Sequence, residues 1–160
     1  MTQTQPIDKL RACLARHSAA RSGPPFAPAL AINPWQAMSL LQKAVRRGRL
    51  DLALGATSTL LDLAPDRFWR RTGVIAFEDV GVADLPTVGL VTASLGGKRM
   101  RSCLGGEWAV ASLIVEQIMD TECLGLSPDK AAEALCLMRD CLPRLNDLRR
   151  GVMGEISHLE

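Results

Sequence analysis

The sequence predicts an all-α fold, a single compact bundle of about seven or eight helices. A length of 160 residues indicates one domain with a buried core, and 48% hydrophobic and 22% charged residues are ordinary for a globular protein. Aromatic residues make up only 4% and Tyr is absent, which argues against the aromatic-rich strands of a β-sandwich or barrel. The core must instead consist of Leu, Ala, Val, Ile and Met, which suits packed helices.

The first 33 residues predict a helix and a linker. The segment from Ile7 to about Arg21 has the spacing of an amphipathic helix. Residues 22–33 contain a Gly and three Pro, and each Pro lacks a backbone donor and restricts the residue before it, so an extended connector is expected. We therefore expect an N-terminal helix and Pro-rich linker in residues 1–33 and a helical domain in residues 34–160. No membrane span and no signal peptide are expected.

Three helices are predicted next, with short connections. Asn33 and Pro34 are typical of a helix start, and Gly48 is typical of a helix end. Residues 50–63 repeat the apolar spacing, and Pro65 starts a third helix. In the helix that starts at Pro34, the residues expected to face inward are Trp35, Met38, Leu41 and Val45. In the helix that starts at Pro65, they are Phe68, Trp69, Thr72, Ile75 and Ala76. We expect all three tryptophans, Trp35, Trp69 and Trp108, in the core.

The rest of the chain predicts further helices around one basic loop. Starts are indicated by Asp or Ser followed by Pro, and ends by Gly or Pro. The segment 107–119 is almost entirely apolar, which predicts the central buried helix. The predicted elements are, in order, a helix from about 84 to 95, a flexible basic loop at 96–101, the central helix at 107–119, a helix from 127 that ends before 143, and a short helix at 144–153.

The titratable residues form no pattern of a catalytic, cofactor or metal site. The five cysteines are odd in number, irregularly spaced and without a CxxC pair, so reduced cysteines and a cytoplasmic location are expected. His17 and His158 lie near opposite ends of the chain, which indicates neither a zinc site nor a nucleophile–histidine pair. Glu78 and Asp79 are adjacent on a helix and point about 100° apart, so they are expected to meet arginines or to cap a turn. No enzyme activity and no cofactor are predicted.

Arginine clusters are the more informative polar feature. If several of these clusters lie on one face, they would form a phosphate-binding patch. The alternative is that the arginines are ordinary solvated residues, which the small net charge of +2 favours. In the helix that starts at Pro65 the arginines come early and the acids late, which opposes the helix dipole and indicates a site or a partner. The candidate nucleic-acid-binding residues are Arg46, Arg47, Arg49, Arg67, Arg70, Arg71, Lys98, Arg99 and Arg101.

Three segments resemble a known family. They are Gln-Lys-Ala-Val-Arg-Arg-Gly at 42–48, Asp-Arg-Phe-Trp-Arg-Arg at 66–71 and Val-Ile-Ala-Phe-Glu-Asp-Val-Gly-Val-Ala-Asp at 74–84. Between the first two, the run continues through Asp51, Ala53-Leu54 and Leu60-Leu61. Together they resemble the C-terminal helical region of replication-associated recombination AAA+ ATPases of the MgsA/RarA type, which are relatives of clamp loaders. The similarity covers about residues 35–91, and no ATPase motif accompanies it. The residues on the motifs are Arg46, Arg47, Asp51, Arg70, Arg71, Glu78, Asp79, Gly81 and Asp84.

The resemblance implies a clamp-loader-collar-like bundle that assembles subunits, as a tetramer in the family, in proteins that act at stalled forks and DNA junctions. Three hypotheses follow. The first is a non-enzymatic oligomerisation or interaction module in DNA replication or repair, expected as a homo-oligomer. The second is a small sequence-indifferent nucleic-acid-binding protein that uses the arginine clusters. The third is an adaptor or inhibitor that inserts into a host AAA+ ATPase assembly.

Overall fold

All regular structure in the described part of the chain is helical. The structure, a computed structural model, describes residues 6–123, and their side chains as far as residue 120. These residues belong to one compact unit of the chain. The elements are α1 (Pro6–Ala20), α2 (Pro34–Arg46), α3 (Leu50–Leu63), α4 (Pro65–Ile75), a π turn (Ala76–Val80), a 3₁₀ turn (Gly81–Asp84), α5 (Leu85–Ser94), α6 (Lys98–Cys103) and α7 (Glu107–Cys123).

The all-α prediction is confirmed for these residues. The helices expected after residue 126 lie outside them, so the total of seven or eight helices stays a prediction. Among the described residues, no helix combines the length and the apolar character that a bilayer crossing requires.

Local chemistry explains where the helices begin and end. The Asn33 side chain accepts hydrogen bonds from the backbone N–H groups of Trp35 and Gln36, both at 3.0 Å. The Gln36 side chain accepts in turn from the Asn33 N–H at 3.0 Å, which completes a capping box. Gly48 adopts a φ of +64° directly after α2, a conformation that favours glycine. The start and the end predicted for this helix are therefore confirmed.

The central position predicted for the apolar helix is also confirmed. Helix α7 packs against α1, α2, α3, α5 and α6. Its side chains from Val110 to Val115 are buried, and Ile118 and Met119 extend the same core. Helix α1 joins this core through Leu14, which is fully buried, and packs against α5 and α7. The connector after α1 is held by the Trp108 indole N–H, which donates to the carbonyl oxygen of Pro25 at 3.0 Å.

The prediction of a flexible basic loop at 96–101 is wrong, because residues 98–103 form helix α6. Glycines with positive φ lie on both sides of it, Gly97 at +106° and Gly105 and Gly106 at +98°. They allow the chain to turn sharply into and out of a short helix. The Arg101 side chain then anchors α6 to the rest of the bundle, in part through the ring of Trp69 on α4, a contact distant in sequence that local patterns do not reveal.

The core placement of the tryptophans is confirmed for Trp69 and wrong for Trp35. Trp69 is 6% exposed and packs edge-to-face on Phe68, with ring centroids 4.8 Å apart. Trp108 is half-buried against the core. Trp35 is 69% exposed although Ala37, two residues later, is fully buried, so Trp35 lies outside the face of α2 that the core covers.

Candidate functional site

Two of the segments singled out in the sequence, 42–48 and 74–84, meet in space. The Arg46 guanidinium at the end of α2 donates to the Asp79 carboxylate in the π turn at 2.8 Å. Gln42 donates to the other Asp79 oxygen at 3.4 Å and accepts from Arg71 at 3.3 Å. The Asp79 side chain is only 8% exposed, so this network joins α2, α4 and the π turn. The expectation that Asp79 meets an arginine is confirmed.

The turns after α4 determine where these acids point. The π turn is wider than an α-helical turn, so it changes the direction in which Glu78 and Asp79 point relative to a continued α-helix. Asp79 turns toward α2, while Glu78 is exposed. Gly81 ends the π turn at a φ of +53°. Asp84 then caps α5, where its carboxylate accepts from the Thr87 N–H at 3.2 Å and from the Thr87 hydroxyl at 2.8 Å.

The contacts between α2 and α4 show that these helices run in the same direction. Trp35 meets Arg67 at the beginning of both helices, with the guanidinium carbon 5.0 Å from the centre of the indole ring. Gln42 meets Arg71 further along, and beyond it the end of α2 meets the π turn that follows α4. An open groove therefore follows the seam between the two helices.

This α2–α4 groove has a volume of about 480 Å³ and is lined by Trp35, Met38, Arg67, Arg70, Arg71 and Val74. Two of its apolar side chains are exposed, Trp35 at 69% and Val74 at 40%, whereas Met38 at its floor is buried. Phe77, three residues after Val74, is 63% exposed. Exposed tryptophan and arginine side chains lying together are typical of the centres of protein interfaces.

The arginines of the groove have no carboxylate partner among the described residues. The ion pairs within that part of the chain join Arg11 to Asp8, Arg21 to Glu116, Arg46 to Asp79, Arg49 to Asp51, and Arg101 to Glu107. Arg70 donates to the backbone carbonyl of Asp66 at 3.3 Å, and Arg71 donates to the neutral Gln42. The groove is therefore positively charged as well as partly apolar.

The remaining candidate residues are distributed over other surfaces. Arg47 is exposed at the C-cap of α2, and Lys98 and Arg99 are exposed on α6. Arg49 is paired with Asp51 at 3.1 Å on the surface. The hydrogen bond from Arg49 lowers the pKa of the Asp51 carboxyl, and the same contact raises the pKa of Arg49.

The assignment of Arg101 to a nucleic-acid-binding loop is wrong, because its side chain is only 8% exposed. Its Nε donates to the Glu107 carboxylate and a terminal N–H group donates to the Ser94 carbonyl, both at 2.9 Å. Its guanidinium carbon lies 4.1 Å from the centre of the Trp69 ring, and the Trp69 indole N–H donates to Glu107 at 2.7 Å. Arg101 is therefore part of a buried network between α4, α5, α6 and α7.

The sequence signal that indicated this region was the reversed charge order of α4. The early arginines that oppose the helix dipole are those of the groove, so this signal located them, whereas the exposed position of Trp35 was missed. Among the described residues, no group of three or more His, Cys, Asp or Glu side chains is arranged to hold a metal ion. Comparisons of the chain with protein-family models, curated proteins and solved structures find no match.

Proposed function

We propose that this chain is a non-enzymatic helical interaction module that acts in DNA replication or repair and resembles the collar of replication-associated AAA+ ATPases. The contact between Arg46 and Asp79 is the observation that supports this proposal most directly. The two residues come from separate motif segments and are 33 positions apart in the chain. The pairing brings the two motif segments onto one surface of the bundle, which is the arrangement that an interaction module built on both segments requires.

The proposed module assembles as a homo-oligomer, with a tetramer favoured by the resemblance. Phe77 lies within the motif segment 74–84 and is 63% exposed, and an uncovered large apolar side chain at this position supports an interface in this region. The test is the solution mass by light scattering on a sizing column, in reducing buffer at low and high salt. A stable species near four times 17.3 kDa is expected.

A matched pair of variants distinguishes this interface from general stickiness. Phe77→Asp is expected to dissociate the oligomer, because it places a carboxylate in the apolar contact. Phe26→Asp is the control, since Phe26 is 92% exposed on the Pro-rich segment and lines a different cleft. A monomer at every concentration would remove the oligomerisation role. Equal dissociation by both variants would show that the association is not specific to the surface at Phe77, and an intact oligomer in Phe77→Asp would place the interface elsewhere.

A second candidate function is sequence-indifferent nucleic-acid binding. The exposed Trp35 beside Arg67 and Arg70 favours it, because single-stranded nucleic acids are bound by aromatic stacking combined with phosphate contacts. The test is the fluorescence anisotropy of a labelled single-stranded DNA over a salt series. Arg70→Ala is expected to reduce the slope of log affinity against log salt by about 0.7. Arg16→Ala, which changes an exposed arginine of α1, is expected to leave the slope unchanged.

A further inference from the structure

We propose that the α2–α4 groove binds an acidic, amphipathic segment of a partner protein, with an apolar side chain of that segment seated against Trp35 and Val74. This inference rests on the proposed role as an interaction module and names the chemistry of its partner. The first support is charge complementarity. Arg67, Arg70 and Arg71 line the groove without a carboxylate partner among the described residues, and guanidinium groups bind carboxylates through paired hydrogen bonds.

The spacing of these side chains favours a helical partner segment. Arg67, Arg70, Arg71 and Val74 follow each other at steps of three, one and three, so they form one stripe along α4. The stripe is about 10 Å long at a rise of 1.5 Å per residue. Carboxylates one helical turn apart on a partner helix match the distance between Arg67 and Arg71. An amphipathic helix that lays its apolar face into a groove is a recurring mode of peptide recognition.

Two other occupants fit the groove less well. A second copy that used the same face would bring the two arginine stripes against each other, which like charges oppose. A nucleic-acid strand needs a long positive track, but exposed Asp66 and Glu78 lie near the two ends of the α4 stripe and limit the positive charge to its middle. Arg67 also covers one face of the Trp35 ring, which reduces the room for a stacked base.

The experiment selects ligands for the intact protein from a phage-displayed random peptide library and measures the enriched peptides by fluorescence anisotropy. The expected sequences carry Asp or Glu at helical spacing around Leu, Met or Phe. Arg70→Glu is expected to weaken the binding of these peptides by about tenfold or more, because it replaces a charge-assisted hydrogen bond by repulsion between two carboxylates. Arg99→Glu, which changes an exposed arginine of α6, is the control and is expected to leave binding within about twofold.

Several results would overturn the proposal. They are the absence of enrichment, enrichment of peptides without acidic residues, and equal effects of the two charge reversals. Competition between the peptide and a single-stranded oligothymidine for the same arginines, with the oligonucleotide binding more tightly, would replace the peptide by nucleic acid. The solution mass separates this proposal from the oligomer. A tetramer that enriches no acidic peptide overturns only the partner assignment, and a monomer that binds the peptide through Arg70 supports the groove without the tetramer.

Discussion

Replacement of Arg101 by Met gives the sharpest test of how the bundle is held together. The substitution keeps an unbranched apolar side chain in place of the arginine stem but removes the guanidinium group and its charge. It breaks the ion pair to Glu107, the hydrogen bond to the Ser94 carbonyl and the contact with the Trp69 ring. Breaking a buried ion pair costs about 3–5 kcal/mol. Glu107 is 24% exposed and regains some hydration, so the expected loss of unfolding free energy is about 2–4 kcal/mol.

A double-mutant cycle separates the ion pair from simple packing. Glu107→Gln removes the charge but keeps an oxygen that accepts from the Trp69 indole N–H. In the double variant neither charge is left unpaired, so it is expected to be more stable than the sum of the single effects predicts, by about 1–2 kcal/mol. The measurement is urea unfolding followed by circular dichroism at constant pH and salt.

The control for this cycle is Arg99→Met, which changes an exposed arginine of the same short helix. It is expected to alter the unfolding free energy by about 0.5 kcal/mol or less. If Arg101→Met is equally harmless, or if the two single effects add without coupling, the buried network does not hold α6 in place.

Three further predictions concern other residues. Trp69→Ala is expected to reduce the unfolding free energy by about 3–5 kcal/mol, because the ring is buried. Trp35→Ala, which removes an exposed ring, is expected to reduce it by about 1 kcal/mol or less. Comparable losses in urea unfolding would contradict the difference in burial between the two side chains. Gly81→Ala is expected to reduce the unfolding free energy by about 1–3 kcal/mol in the same assay, because φ at this position is +53°. The cost is conformational and not steric, since no atom lies within 4 Å of the added Cβ. An unchanged unfolding midpoint would refute this reasoning. The pKa of Asp51 is expected below 3.8 by NMR titration, and higher in the Arg49→Gln variant. The small stabilisation from this exposed pair is therefore present above about pH 4 and is lost as the pH falls through the folded-state pKa of Asp51. An identical pKa in the variant would exclude the pairing.

Helix positions were predictable where the signal is local. Asn33 with Pro34, Gly48 and Pro65 define their boundaries through capping, a positive φ and the missing proline donor, and each effect acts within a few residues. The burial of α7 was predictable for a similar reason, since a helix that is almost entirely apolar over residues 107–119 has to be covered. The arginines at the beginning of α4 were also identified as a candidate site from their order along the helix.

Amino-acid type and spacing thus determine by themselves that this chain forms helices, where most of them begin and end, and that α7 is covered. Only the tertiary structure decided that Arg101 is a buried anchor, that Trp35 is exposed beside Arg67, and that Arg46 reaches Asp79. The physical reason is that burial and pairing depend on which elements lie opposite each other. Periodicity shows which side of a helix is apolar, but only the packed bundle determines whether another helix covers it.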